Sequence, residues 1–333
     1  MRVLVITGDH GLPDPTKWDG AFSAADFEMH HQAQEALESL TGYRFDFLTD
    51  HASLSRRIEQ DPPDLVLNFC DTGFRNVATQ ELHVPALLEM HGIPYTGAGP
   101  AGMVLCYDKS IVRAIAQAHG VPVPGEVLVP ADGLPDLSEA SWPSLIKPAQ
   151  GDGSVGIRPD SVVQSEDVAH RYLERFRQEL PGRAALVQEF LPGTEYGLAL
   201  VGNPGRGFTA LPPLEVDYSG LPTELAPILA FESKTGPSNP YLSVGIQPAS
   251  PSPDRLAEMR QISELLFERL QCRDYARFDF RTAADGRIKL LEVNPNPAWS
   301  SDGKLAIMAA FGGIGYAELL GLILTTARAR LGL

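Results

Sequence analysis

The sequence predicts an α/β protein: a parallel sheet at the N-terminus, followed by two mixed α+β units. Two observations carry this. From residue 1 to about 105, strand-like and helix-like segments alternate, the pattern of a parallel sheet with helices on both faces. Toward the C-terminus, two apolar strands flank Asp285-Gly286, which is turn chemistry for an antiparallel pair. At 333 residues the chain exceeds one small domain, and its pattern divides it into units at 1–105, 106–191 and 192–333.

In order, Met1–Thr7 is an apolar first strand, and Phe22–Leu40 is helical, with Phe27, Ala33, Ala36, Leu37 and Leu40 on one side. Tyr43–Leu48 alternates like a strand, and Asp64–Phe69 reads as a buried one. A helix carrying Leu82, Leu87, Leu88 and Met90 precedes a short strand at Ile93–Thr96. The second unit opens near Cys106 with a helix at Asp108–His119 and a strand at Glu126–Pro130. Ser144–Lys147 then runs into the glycine-rich stretch Gln150–Ile157, and helix Glu166–Leu180 and strand Ala185–Phe190 follow. The third unit holds strands at Glu195–Val201 and Leu211–Val216, then the proline-rich segment Leu221–Pro253, read as an active-site loop or lid. Helix Pro253–Leu270, strands Tyr275–Arg281 and Ile288–Val293, and terminal helices complete it.

Composition narrows the function. With 44 % hydrophobic and 21 % charged residues, the chain is too apolar for a disordered protein. Forty-two acidic residues against 27 basic ones, a net charge of −15, argue against nucleic acid as principal partner. Cys70, Cys106 and Cys272 lie far apart without metal-ligand spacing and read as buried reduced thiols. The one membrane-like stretch, Leu305–Leu324, is interrupted by Gly312, Gly313 and Gly315 and carries Glu318, so two core helices are expected there. The expectation is a cytoplasmic protein with no membrane partner.

Two segments carry chemistry. Gln150-Gly151-Asp152-Gly153-Ser154-Val155-Gly156 follows the strand lysine Lys147, and its glycines permit close approach to phosphate oxygens; a flexible hairpin tip is the alternative. In the strand pair, alternation sets Arg277 and Asp279 on one face, and Glu292 and Asn294 on one face of the next strand. Asp279, Glu292 and Asn294 are hard oxygen ligands suited to Mg²⁺ shared with nucleotide phosphates. The alternative is a surface salt-bridge ladder of Arg277 with Asp279 and Glu292.

Four stretches together resemble the ATP-grasp superfamily, and within it the D-alanine–D-alanine ligase group. They are Leu88–Gly97 with Asp108-Lys109; Ile146-Lys147-Pro148 with Gly153–Gly156; Gln188–Leu191 with Gly193-Thr194-Glu195; and Arg277-Phe278-Asp279 with Leu291–Asn294. The resemblance implies an ATP-grasp fold, with a Rossmann-like N-terminal domain and two α+β subdomains that clasp ATP. It implies that Lys109 and Lys147 hold phosphates under the Gly153-Ser154 loop. Adenine would meet the backbone of Gln188, Glu189, Phe190 and Leu191, and the ribose would meet Glu195. Lys234 would reach the γ-phosphate, Asp279, Glu292 and Asn294 would hold two Mg²⁺ (or Mn²⁺) ions, and Arg277 would stabilise developing charge. The N–H of Ala298 would stand where a glycine N–H helps hold the tetrahedral intermediate. The implied reaction joins a carboxylate to an amine through an acyl phosphate, and a homodimer is the family's expectation.

The acceptor side departs from the family pattern. Gly153 stands where the family has a serine, Thr235 replaces a tyrosine, and Asn68–Asn76 replaces a His-Gly-rich segment. Gly303-Lys304 replaces the Ser-Leu that grips the acceptor carboxylate. Lys304 and Arg75 are candidates for a substrate carboxylate and Trp299 for a pocket wall. The structural alternatives are a helix-end surface charge, a loop ion pair and a packed anchor. The expected function is an ATP- and Mg²⁺-dependent ligase of small amino acids with an altered substrate pocket. The alternatives are a ligase for a peptide or carrier-bound substrate, and a non-catalytic nucleotide-binding regulator.

Overall fold

The computed structural model describes residues 1–15, 17, 20–133, 135–151, 153–230 and 240–333. Strands β1 (Arg2–Ile6), β2 (Arg44–Leu48) and β3 (Leu65–Asn68) form a parallel sheet in the order β2-β1-β3. Between and after them run α1 (Ala24–Glu38), α2 (Leu54–Gln60) and α3 (His83–Met90). Helix α1 starts at a capping box, where Ser23 and Asp26 satisfy each other's backbone N–H. The strand expected at Ile93–Thr96 is reduced to one parallel bridge between Val66 and Tyr95. Pro94 has no N–H to continue a ladder, and Gly97, at φ +84°, turns the chain away.

Next come α4 (Pro100–Tyr107), unanticipated although Pro100 stands at its first turn, and α5 (Lys109–Ala118), capped by Asp108. Strands β4 (Glu126–Val129), β5 (Ser144–Pro148), β6 (Val162–Val163) and β7 (Ala185–Glu189) form an antiparallel sheet ordered β4-β7-β5-β6, backed by α6 (Glu166–Glu179). The remaining sheet contains β8 (Glu195–Asn203), β9 (Gly207–Ala210), β10 (Leu214–Asp217), β11 (Gly245–Pro248), β12 (Asp274–Thr282) and β13 (Ile288–Asn294). The strand expected at Leu211–Val216 begins only at Leu214, as β10, because Pro212 and Pro213 have no N–H to donate to a ladder, and β9 before them was not anticipated. Helices α7 (Pro253–Arg269), α8 (Lys304–Phe311) and α9 (Tyr316–Leu331) complete the chain.

Packing ties distant segments together. Leu4, Ile6 and Val66 bury one face of the parallel sheet against Leu54 and Ile58 of α2 and Val84 and Leu88 of α3. Val3, Val5, Leu65 and Leu67 on the other face meet Ala33 and Leu37 of α1, and also Leu319, Leu320, Ile323 and Leu324 of α9. The apolar C-terminal stretch therefore covers the N-terminal sheet. No described helix is long and apolar enough to cross a membrane, and α8 and α9 meet at 105°. Helices α4 and α5 pack with α7 against β8, β12 and β13, through Cys106, Val112, Ala116, Met259, Phe267, Phe278 and Phe280. Phe278 is fully buried there. Phe278→Ala is expected to cost about 3–5 kcal/mol through the cavity it leaves, read as a lowered urea midpoint; a loss under about 1 kcal/mol would contradict this packing.

Candidate active site

The β12–β13 register places Arg277 opposite Asn294 and Asp279 opposite Glu292. Phe278 and Val293 point the other way into the core, so four polar groups share one face without disturbing it. Arg277 grips Asp279 with two bonds, Nε to Oδ1 at 2.8 Å and Nη2 to Oδ2 at 2.9 Å. Asn294 Nδ2 donates to Asp279 Oδ2 at 3.3 Å. Burial alone would raise the Asp279 carboxyl, but Arg277, Lys304 and hydrogen bonding outweigh it and hold it down at about 2. The Arg277–Asp279 pair is thus buried rather than a surface ladder, with side chains 11 % and 7 % exposed.

Lys147, on β5, is buried, and Lys109, the first residue of α5, is nearly so. Burial, with the nearby positive charge of Lys109, lowers the Lys147 ammonium to about 8, against the pull of Glu292, Glu126 and Glu195. Lys109 Nζ donates to the Gly151 carbonyl and lies 3.9 Å from Glu292 Oε2. The main chain ties the same places together: Lys109 N–H donates to Ala149 and Gly151 N–H to Tyr107. Gly151, Gly153 and Gly156 have φ of +112°, +64° and +80°, and Ser154 joins them at +63°. A side chain at Gly156 would strike Pro148 and Leu180 within 2.8 Å. The loop after Lys147 therefore needs its glycines both for conformation and for space.

These groups line one cavity of about 580 Å³. Lys109, Lys147, Gly153, Ser154, Glu195, Arg277, Asp279, Glu292, Asn294, Ala298, Gly303 and Lys304 all belong to its wall. Ile228 and Arg281 are among the wall residues that the sequence did not mark as part of the site. Ile228 belongs to the proline-rich segment, and Arg281 is the next member of the alternating row Arg277, Asp279, Arg281, the pattern that could have found it. Arg281 Nη1 and the Tyr218 hydroxyl both bond Glu195 Oε2, at 3.2 and 2.7 Å. Burial and the adjoining Glu195 push the Tyr218 phenol up, so it stays protonated and donates.

Other predicted residues sit elsewhere. Gln188 Nε2 donates to Glu126 Oε2 at 3.0 Å, and burial pushes the Glu126 carboxyl up. Glu189 accepts from Lys289 Nζ at 2.6 Å and from Gly125 N–H at 3.0 Å, clamping two sheets together. The Phe190 ring lies 5.2 Å from the Arg281 guanidinium, and Leu191 is buried. Trp299 stacks on Phe69 at 5.1 Å and meets His30 edge-on at 4.9 Å, with its Nε1 buried and unpartnered among the described residues. Arg75 is exposed at the carboxyl end of β3, in a loop where Arg75 and Asn76 have φ of +57° and +58°. Neither Trp299 nor Arg75 lines the cavity. Lys234 and Thr235 lie outside the described residues.

The donor set suits a hard divalent cation. Two carboxylates and an amide oxygen supply only part of its coordination, and no group of three or more His, Cys, Asp or Glu is found among the described residues. The remaining ligands would come from phosphate oxygens and water, which is how Mg²⁺ is usually held at nucleotide sites.

Comparison with known proteins agrees with this geometry. The family model "D-ala D-ala ligase C-terminus" matches residues 135–325. The protein y4sG of Sinorhizobium fredii is 32 % identical over 254 residues, spanning 74 % of this chain and 70 % of its own. The D-alanine–D-alanine ligase of Chelativorans sp. is 25 % identical over 324 residues, 96 % of this chain and 95 % of its own. The structure of D-alanine–D-alanine ligase from Bacillus anthracis complexed with ATP superposes with a TM-score of 0.74 at 20 % identity, over 100 % of this chain and 99 % of that one.

Proposed function

Because the chain belongs to the D-alanine–D-alanine ligase family of ATP-grasp, ADP-forming ligases, we propose that it joins the carboxylate of one small amino acid to the amine of another. The observation that carries this is the opposed row Arg277–Asn294 and Asp279–Glu292, facing the same cavity as Lys109, Lys147 and the glycine loop. Asp279, Glu292 and Asn294 would hold Mg²⁺, two ions in this reading, which when bound neutralise phosphate charge. Lys109 and Lys147 bind and orient the phosphates, with the N–H groups of the Gly153-Ser154 loop folded over them. Lys234 completes this set in the proposal. The main chain of Gln188–Leu191 receives adenine, and Glu195 receives the ribose.

Phosphoryl transfer to the donor carboxylate gives an acyl phosphate and ADP. Attack by the acceptor amine forms a tetrahedral intermediate, whose collapse expels phosphate and leaves the amide. Arg277 is placed for the negative charge that develops in both steps, and the Ala298 N–H for the oxyanion. Gly303 caps α8 and Lys304 begins it, so a substrate carboxylate at this helix end meets N–H groups and an ammonium together. Arg75 and Trp299 are kept as acceptor-side candidates of this reading, although neither lines the cavity and Trp299 is packed on Phe69.

The proposal divides the work among units 1–105, 106–191 and 192–333, in a cytoplasmic enzyme acting on free small molecules. It extends to a homodimer, which sedimentation velocity would decide. The direct test measures phosphate release with ATP and Mg²⁺ across single L- and D-amino acids and their pairs, with product masses. Release that needs a pair, with a product of their summed mass less water, is expected. Silence across the panel despite tight ATP binding would instead favour a peptide or carrier-bound substrate. Efficient D-alanyl-D-alanine synthesis would refute the altered specificity inferred for the acceptor side. Lys304→Ala is expected to raise KM for one amino acid roughly 10- to 100-fold, the worth of one charge-assisted hydrogen bond. A defect confined to ATP would move Lys304 out of the substrate pocket.

A further inference from the structure

Glu195 is held by one oxygen only. Tyr218 and Arg281 both donate to Oε2, whereas Oε1 takes no hydrogen bond from the described residues and is not sealed in protein. Since Glu195 lines the cavity, that oxygen is available to a ligand's donor. Arg281 has no such freedom. It is 5 % exposed, its Nε donates to the Gly193 carbonyl at 3.1 Å, and its Nη2 donates to the Pro227 carbonyl at 2.7 Å. Its guanidinium also lies 5.2 Å from the Phe190 ring and 5.3 Å from the Tyr218 ring. With each nitrogen engaged and two rings beside it, this arginine cannot swing toward a phosphate without breaking buried bonds. It acts through the groups it holds.

Those groups come from three places: the start of β8, the residue after β10, and the proline-rich segment at Pro227. The planar fork of an arginine can reach Gly193, Glu195 and Pro227 together, which a lysine's single ammonium cannot do with the same geometry. A carboxylate with one oxygen fixed and one presented accepts from hydroxyl donors, and the vicinal hydroxyls of a ribose are such donors. We infer that Arg281, assisted by Tyr218, is the positioning residue that sets this protein's requirement for ribose hydroxyls, by presenting one oxygen of Glu195 to them and tying that sugar site to the segment at Pro227. This rests on the nucleotide site proposed above.

The test compares ATP with 2′,3′-dideoxy-ATP in wild type, Tyr218→Phe, Arg281→Lys and Arg281→Met, by steady-state kinetics. Wild type is expected to prefer ATP in kcat/KM by about 100-fold or more, because a site built to bond hydroxyls rejects analogues lacking them. In Arg281→Met the preference should fall to within about fivefold, with the loss falling on KM for ATP far more than on kcat. Arg281→Lys should recover part of it. Tyr218→Phe, which removes one hydroxyl and leaves the ring, should lower it severalfold, and covers the case in which Arg281→Met does not fold. Equal losses on ATP and the dideoxy analogue in Tyr218→Phe and Arg281→Lys would overturn the inference in favour of a purely structural arginine. Wild-type turnover indifferent to the ribose hydroxyls would overturn it while leaving the ligase reading intact. Failure to bind ATP at all would overturn both.

Discussion

Glu292→Ala is expected to lower turnover on the order of 10³-fold, the scale on which removing a single transition-state electrostatic contact acts. The size of the effect follows from what Asp279 is already doing. Arg277 occupies both Asp279 oxygens, and Asn294 donates to one of them. Glu292 is therefore the carboxylate with the fewest competing partners, its closest cation being Lys109 at 3.9 Å. Its loss leaves Asp279 and an amide to hold Mg²⁺ beside two lysines, so the Mg²⁺ concentration needed for half-maximal activity should rise as well. Phosphate release titrated with Mg²⁺ measures both. If Glu292 served only as a member of a salt-bridge ladder, its removal would lower melting temperature and leave turnover per folded molecule within a few-fold of wild type. That result would refute the metal assignment.

Lys147 should show a pH dependence with opposite signs in binding and in folding. Its ammonium titrates near 8, well below an ordinary lysine, because it is buried and lies close to Lys109. ATP phosphates need the protonated form, so KM for ATP is expected to rise as pH climbs above about 8, approaching tenfold per pH unit once the lysine is neutral in the free enzyme. Folding runs the other way. Between about 8 and 10.5 the unfolded chain holds a proton at this lysine that the folded chain lacks, so the contribution of Lys147 to stability rises with pH there. Below about 8 the fold bears the full cost of the buried charge. Lys147→Arg, always charged, should flatten the KM profile up to pH 10, and Lys147→Ala should weaken ATP binding most among the site variants. A wild-type KM independent of pH between 7 and 10 would show that Lys147 does not meet the phosphates.

Much of the site was legible because its signals are local. Alternation along two short strands sets Arg277, Asp279, Glu292 and Asn294 on shared faces, and Asp285-Gly286 pairs those strands antiparallel. The glycine-rich stretch after Lys147 announces a conformation that other residues resist, and the positive φ angles at Gly151, Gly153 and Gly156 are the form it takes. Reading the row one residue pair further would have reached Arg281. The strand expected at Ile93–Thr96 is reduced to a bridge and the one expected at Leu211–Val216 is shortened for one reason: proline has no N–H to give a ladder, however apolar its neighbours.

By itself, then, the sequence determined the α/β class, the antiparallel pairing across Asp285-Gly286 and the shared faces of Arg277 with Asp279 and of Glu292 with Asn294, which follow from periodicity and turn residues within a few tens of residues. Tertiary structure alone decided which oxygen of Glu195 remains available, since Arg281 meets it across 86 positions of sequence through the β8–β12 register. It alone decided that α9 covers the N-terminal sheet and that Trp299 is stacked on Phe69. Such contacts depend on how separate elements pack, and no local pattern records which partner a buried side chain will find when several distant segments compete to cover the same apolar face.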